Sequence, residues 1–242
     1  MNKIRTNNRL ISAWKDRTKW GYFLVLLSTN AIDGVFGSTS IFNEFFPSKY
    51  LIIILFVFQF VMILLSAYYW GKGEFLLVKL TVFSSLFIET ILMVSMNILL
   101  MKSLSSPHSP VKALRLLLES IIIWFVNIWL FSLWYWFIDG NGSETRKMMA
   151  NNKNKWERDC GNNKTRGVDF WFPQQSQNIP GWKDWLPSYP DYFFLAFSTS
   201  TAFSPTDTLV LSWRAKLLML IQALNSLIAL TVVAARAINS LQ

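Results

Sequence analysis

Three groups of residues have types and spacings that suit chemistry. The first is the run Thr199-Ser200-Thr201-Ala202-Phe203-Ser204-Pro205-Thr206-Asp207: closely spaced hydroxyls, a proline that removes an N–H donor, and a terminal acid. Hydroxyl, carbonyl and carboxylate oxygens are the groups that replace water around a passing cation. The second is Gln222, Asn225 and Ser226, three- and four-residue neighbours within the final apolar run, which suits either a wet cavity or close helix packing. The third is Glu89, a carboxylate near the middle of an apolar segment. Such a group is typically paired or functional: it serves as an ion or proton site, or as a neutral acid bonded to Asn97 or Asn127. Enzyme chemistry finds no purchase. The chain has one histidine (His108) and one cysteine (Cys160), so an internal disulfide is impossible and a Cys/His metal site is disfavoured. It has no HExxH, no GxSxG and no paired Gly-Asp signature. No catalytic residue, metal or cofactor is expected.

Long apolar elements must hold these groups. Of the 242 residues 52% are hydrophobic and 16% aromatic, with a mean hydropathy of +0.32. A soluble domain carries about 25% charged residues, against 15% here. The charges fall in the first 19 residues, in 139–190 and in short connectors. Between them, apolar runs of roughly 20 residues match a hydrocarbon core about 30 Å thick. The expected fold class is an all-α integral membrane protein, multi-pass in the cell (inner) membrane, with about five transmembrane helices and a re-entrant half-helix. The net charge of +9 is read as cytoplasmic lysine and arginine meeting anionic lipid, not as a nucleic-acid surface.

Residues 1–19 read as a basic cytoplasmic tail, too polar for a cleavable signal peptide. Residues 20–138 read as four spans. The first, Trp20 to about Gly37, is the weakest, because Asn30 and Asp33 interrupt it; Asp33 is expected at a water boundary. Tyr50–Trp70 is free of charge and ends in interfacial aromatics. Phe75–Met101 carries Glu89 and a Lys79 able to snorkel, and Pro107 and Pro110 close it. Leu114–Ile138 opens on the i, i+4 pair Arg115/Glu119 and ends in Leu133-Trp134-Tyr135-Trp136-Phe137. Residues 139–190 read as an extramembrane loop. In 191–242, Asp191–Phe203 is too short to cross, Ser204-Pro205-Thr206-Asp207 stops it, and Ala215–Ile238 is a full-length final span without glycine or proline. A half-helix followed by non-helical backbone cannot face lipid, so it must lie in protein or line a watery cavity.

This half-helix, acid-ended turn and full helix resemble the pore module of potassium channels, whose pore helix leads into Thr-Val-Gly-Tyr-Gly-Asp. Phe197-Ser198-Thr199-Ser200-Thr201 matches the end of that pore helix. Laid on the filter, Ala202 stands for Thr, Phe203 for Val, Ser204 for the first Gly, Pro205 for Tyr and Thr206 for the second Gly, while Asp207 keeps its acid. The run Thr-Ala-Phe-Ser-Pro-Thr-Asp is also similar to that of an uncharacterised group of small bacterial membrane proteins. Leu133-Trp134-Tyr135-Trp136, Asp169–Gln174 and Ala234–Ala237 carry the same likeness. The resemblance implies an oligomeric, tetrameric pore for inorganic ions, since one pore loop cannot enclose an axis.

The departures limit that inheritance. Both filter glycines are missing, and glycine is what permits the filter's backbone angles. Pro205 fixes φ near −65°. Selectivity is therefore expected from Thr199, Thr201, Ser204 and Thr206, from carbonyls otherwise arranged, or from a ring of Asp207, and potassium selectivity is not inherited. A non-conducting scaffold or sensor derived from a channel is the alternative. Five crossings with a cytoplasmic tail put most Lys and Arg inside and the pore loop on the cytoplasmic face; four crossings put the loop outside.

Overall fold

The computed structural model describes residues 20–39, 49–72, 74–105, 113–141, 168–176, 185–205 and 207–239. The basic tail 1–19, His108, Cys160, Thr206 and the loop stretches 142–167 and 177–184 lie outside the described residues. The chain divides into two units, Met1–Lys112 and Ala113–Gln242, so the fourth apolar segment belongs with the C-terminal module and not with the three helices before it.

The first unit holds α1 (Trp20–Ser38), α2 (Lys49–Lys72) and α3 (Phe75–Ser105). All three pack on one another. Their burial runs opposite to that of a soluble bundle. On α2 the aliphatic and aromatic residues Ile54, Val57, Phe60, Leu64 and Tyr68 face outward, whereas Gln59 and Ser66 are buried. Outward Leu76, Leu80, Phe83, Phe87 and Ile91 on α3 enclose inward Ser85 and Glu89 in the same way. An apolar exterior of this extent is stable against lipid and not against water.

The second unit holds α4 (Ala113–Ile138), a 3-10 turn (Asp139–Asn141), β1 (Phe170–Trp171), α5 (Pro173–Ser176), α6 (Tyr189–Ala202), β2 (Leu209–Val210) and α7 (Trp213–Asn239). α4 is the hub, packed by both α6 and α7. The expected Arg115/Glu119 pair forms, Nε to Oε1 at 3.2 Å. The half-helix begins two residues earlier than the sequence suggests: Asp191 Oδ2 accepts the Ser188 N–H at 2.7 Å and the Ser188 hydroxyl at 2.8 Å, fixing the first turn with Pro190 inside it. Phe203, at φ 54°, ends the helix in the left-handed conformation.

Four helices are long and apolar enough to cross a membrane, on Ile53–Lys72, Leu76–Ser103, Leu114–Ile138 and Trp213–Ala235. α1 has a shorter apolar stretch, Leu24–Val35. The described residues are thus predominantly helical, and the chain is a multi-pass membrane protein.

Candidate functional site

The α6 segment starts and finishes at one end of α4. At its start, the Tyr192 hydroxyl donates to Asp139 Oδ2 at 2.5 Å, just past the last residue of α4. Lower down, Ser200 lies level with Asn127, since the Gln222 amide reaches both the Ser200 hydroxyl at 2.8 Å and the Ala196 carbonyl at 2.7 Å while Asn127 Nδ2 donates to the Gln222 carbonyl at 3.2 Å. Beyond Ala202 the chain climbs back: Leu211 N–H donates to the Asp169 carbonyl at 2.9 Å, and Arg214 donates to the Ile138 carbonyl at 2.9 Å. From Asn127 to Asp139 the rise along α4 is about 18 Å. The chain makes that return between Ala202 and Trp213.

The returning strand is anchored by residues whose joint role is invisible in sequence. Asp139 Oδ1 accepts the backbone N–H of Asp169 at 2.7 Å and of Phe170 at 3.2 Å. Asp169 in turn accepts the Gly140 N–H at 3.2 Å and pairs with both Arg214 Nε, at 2.6 Å, and the Arg214 terminal nitrogen. Gly140, at φ 55°, permits the turn that aims its N–H at Asp169. β1 then pairs antiparallel with β2, Phe170 opposite Val210 and Trp171 opposite Leu209. Phe170 packs edge-on against Tyr135 and Tyr192, and Phe172 against Tyr192 and Trp185. Arg214 sits in the first turn of α7, where the helix dipole disfavours a cation; the Asp169 carboxylate offsets that cost.

The filter-like residues divide by exposure. Thr199 and Ser200 are buried, and the Thr199 hydroxyl bonds the Leu195 carbonyl at 2.8 Å. Thr201, Ala202, Phe203 and Asp207 are exposed, and Ser204 and Pro205 are half-buried. Thr201 also bonds its own helix, at 3.0 Å to the Phe197 carbonyl. The Pro205 carbonyl accepts the Thr208 N–H at 3.2 Å, which closes a turn instead of leaving a column of carbonyls. Phe203 is the one non-glycine residue at positive φ among those described. This backbone is not a glycine-based potassium filter.

The polar stripe of α7 resolves toward packing. Gln222 and Ser226 are fully buried. Asn127 Nδ2 donates to the Ser226 hydroxyl at 2.7 Å, and the Tyr135 hydroxyl donates to Gln222 Oε1. Asn225 is buried and bonds its own helix at Ile221. The outward face of α7 is instead Leu217, Leu220, Leu224 and Leu227. The Asn127 amide thus donates within the second unit.

Glu89 is completely buried in the first unit, where Gln59 Nε2 donates to its Oε1 at 2.8 Å. Asn97, the other expected partner, bonds the Met93 carbonyl at 3.4 Å. Asp33 is not at a water boundary; it is 3% exposed, inside the same cluster. Gln59 was missed in sequence because a glutamine within an apolar run carries no signal of its own. Its spacing of 30 residues from both Thr29 and Glu89 marks partners on neighbouring helices. Among the described residues no group of three or more His, Cys, Asp or Glu could hold a metal ion. Compared with protein-family models, curated proteins and solved structures, the chain matches none.

Proposed function

We propose that this chain is a channel-like protein of the cell (inner) membrane in which several copies, four by analogy with the pore module it resembles, surround an ion pathway at the C-terminal end of α6. One observation carries the reading: α6 runs down α4 for 14 residues, about 21 Å, and the chain then returns to its starting end through a non-helical, partly exposed turn. Backbone of that kind at membrane depth needs protein or water over it. A second copy and a wet axis supply both. Among the described residues, Thr201 at the end of α6 and Asp207 on that turn are exposed and carry oxygens, so they are assigned to the pathway, with Ser204 beside them. Thr199 and Ser200 support the helix from behind. The ion is chosen by hydroxyl and carboxylate oxygens and not by stacked carbonyls. α1 is read as a fifth crossing, because its 19 residues reach about 28 Å and its acid Asp33 turns inward.

A non-conducting scaffold is the second reading. It is favoured by one observation, the leucine face of α7, which offers lipid or another copy an apolar surface in place of a polar cavity wall.

Thiol accessibility tests the first reading. In a Cys160→Ser background, Thr201→Cys and Asp207→Cys are expected to react with a charged, membrane-impermeant thiol reagent in reconstituted protein. Thr199→Cys is expected to stay inert. Protection of both Thr201→Cys and Asp207→Cys, or a chain that remains monomeric in mild detergent and in lipid, would rule out a wet pathway here.

A further inference from the structure

Within the first unit, Thr29 and Asp33 of α1, Gln59 of α2, and Ser85 and Glu89 of α3 converge on one buried cluster. The hydroxyls of Ser85 and Thr29 and one N–H of Gln59 are already used. The Ser85 hydroxyl donates to Gln59 Oε1 at 2.7 Å, and the Thr29 hydroxyl donates to the Leu26 carbonyl at 2.8 Å while lying 3.2 Å from Gln59 Oε1. The Gln59 amide donates to Glu89 Oε1. Asp33 Oδ1, Asp33 Oδ2 and Glu89 Oε2 are left buried with no donor. Asp33 lies one turn after Thr29 on α1, on the face that meets Gln59 and, through it, Glu89, so the two buried carboxyls share this cluster. Two ionised carboxylates are acceptors only, so neither can bond the other.

Among the described residues of this unit the lysines lie well along the helices from the pair, Lys49 being ten residues before Gln59, about 15 Å away. Lys79 lies ten residues before Glu89 on α3, about 15 Å away along the axis. Lys102 lies thirteen residues after it, and Lys72 thirteen after Gln59, each about 20 Å away. The pair is also smaller than a group of three metal-ligating side chains, and among the described residues no such group is present.

We propose that Asp33 and Glu89 bind one proton between them, a carboxyl–carboxylate dyad that holds α1 against α3. The proton rides on one carboxyl oxygen and is donated in a hydrogen bond to the other residue, converting a like-charge contact into an attractive one. Gln59 fixes Glu89 from α2 so that its Oε2 is presented to Asp33. When the proton leaves to water, two carboxylates face each other without compensation, and α1, with its short apolar stretch, is the helix that separates. The ligand is the proton itself, and the dyad is a loading site buried between helices.

Infrared spectroscopy of the full chain in phosphatidylcholine vesicles at pH 7 tests this. The expected result is a protonated-carboxyl C=O stretch that shifts in heavy water. Glu89→Gln and Asp33→Asn should each shift or abolish it, because the hydrogen bond between the two carboxyls is lost. Both variants should keep the wild-type melting temperature or exceed it. Absence of the band in the wild-type protein, a measurement that needs no variant, overturns the proposal. So does a band that stays at the same frequency in both single variants. A melting temperature that rises with sodium but not with choline, and does so only when both acids are present, would mean a metal cation occupies the site and would equally overturn it.

Discussion

Asp169→Ala is expected to destabilise the second unit by about 3 kcal/mol, the scale of breaking a buried ion pair from one side. The carboxylate is buried and holds Arg214 through two nitrogens while also accepting the Gly140 N–H. Its removal strands a guanidinium against the end of α4, where the Ile138 carbonyl alone remains to receive it. It also frees β1 and β2, whose short ladder has little strength of its own. Asp169→Asn keeps a single oxygen to accept from Gly140 and one Arg214 nitrogen, but it turns an NH2 toward the other nitrogen and loses the charge, so it should recover only part of that cost. Thermal melts of the purified variants give the answer. Loss of less than about 0.5 kcal/mol on Asp169→Ala, the range of an ordinary surface change, would show that the ion pair does not anchor the returning strand.

Gln222→Leu carries the second large effect, about 2 kcal/mol, above the average for a single interhelical bond in a membrane because several partners are lost together. Leucine fits the volume but leaves the Tyr135 hydroxyl, the Ala196 carbonyl and the Ser200 hydroxyl without their partner in the centre of α4, α6 and α7. The Tyr135→Phe change should cost about 1 kcal/mol. In a double-mutant cycle the two should couple by 0.5 kcal/mol or more. Strict additivity would place the Tyr135–Gln222 bond outside the energetics of the fold.

Hydropathy made the long helices legible, because a run such as Ile53–Lys72 has one satisfactory solution in a bilayer. The short length of α6 was legible for the same reason, and its helical start needed only the Ser188–Asp191 pairing to be placed. The spacing of Gln222, Asn225 and Ser226 correctly put them on one side of α7 but left open which surface that side meets. The answer depended on Asn127 and Tyr135, which lie about a hundred residues away in sequence. The same limit hid the role of Asp169. It stands in sequence only at the head of the Asp169–Gln174 stretch, and nothing there joins it to Arg214 across 45 residues. Glu89 announced itself as costly. That its companions are Gln59 and Asp33 follows from the packing of α1, α2 and α3, which hydropathy does not rank.

The central claim is that the α6 turn lines an ion pathway between copies of the chain, and recording purified protein in planar bilayers tests it most directly. The expected result is unitary current, with Asp207→Asn lowering the conductance or cation preference because a ring of carboxylates concentrates cations at the mouth. Silence across ions, voltages and pH from protein shown to be folded and oligomeric, or currents indifferent to both Asp207→Asn and Thr201→Ala, would contradict it.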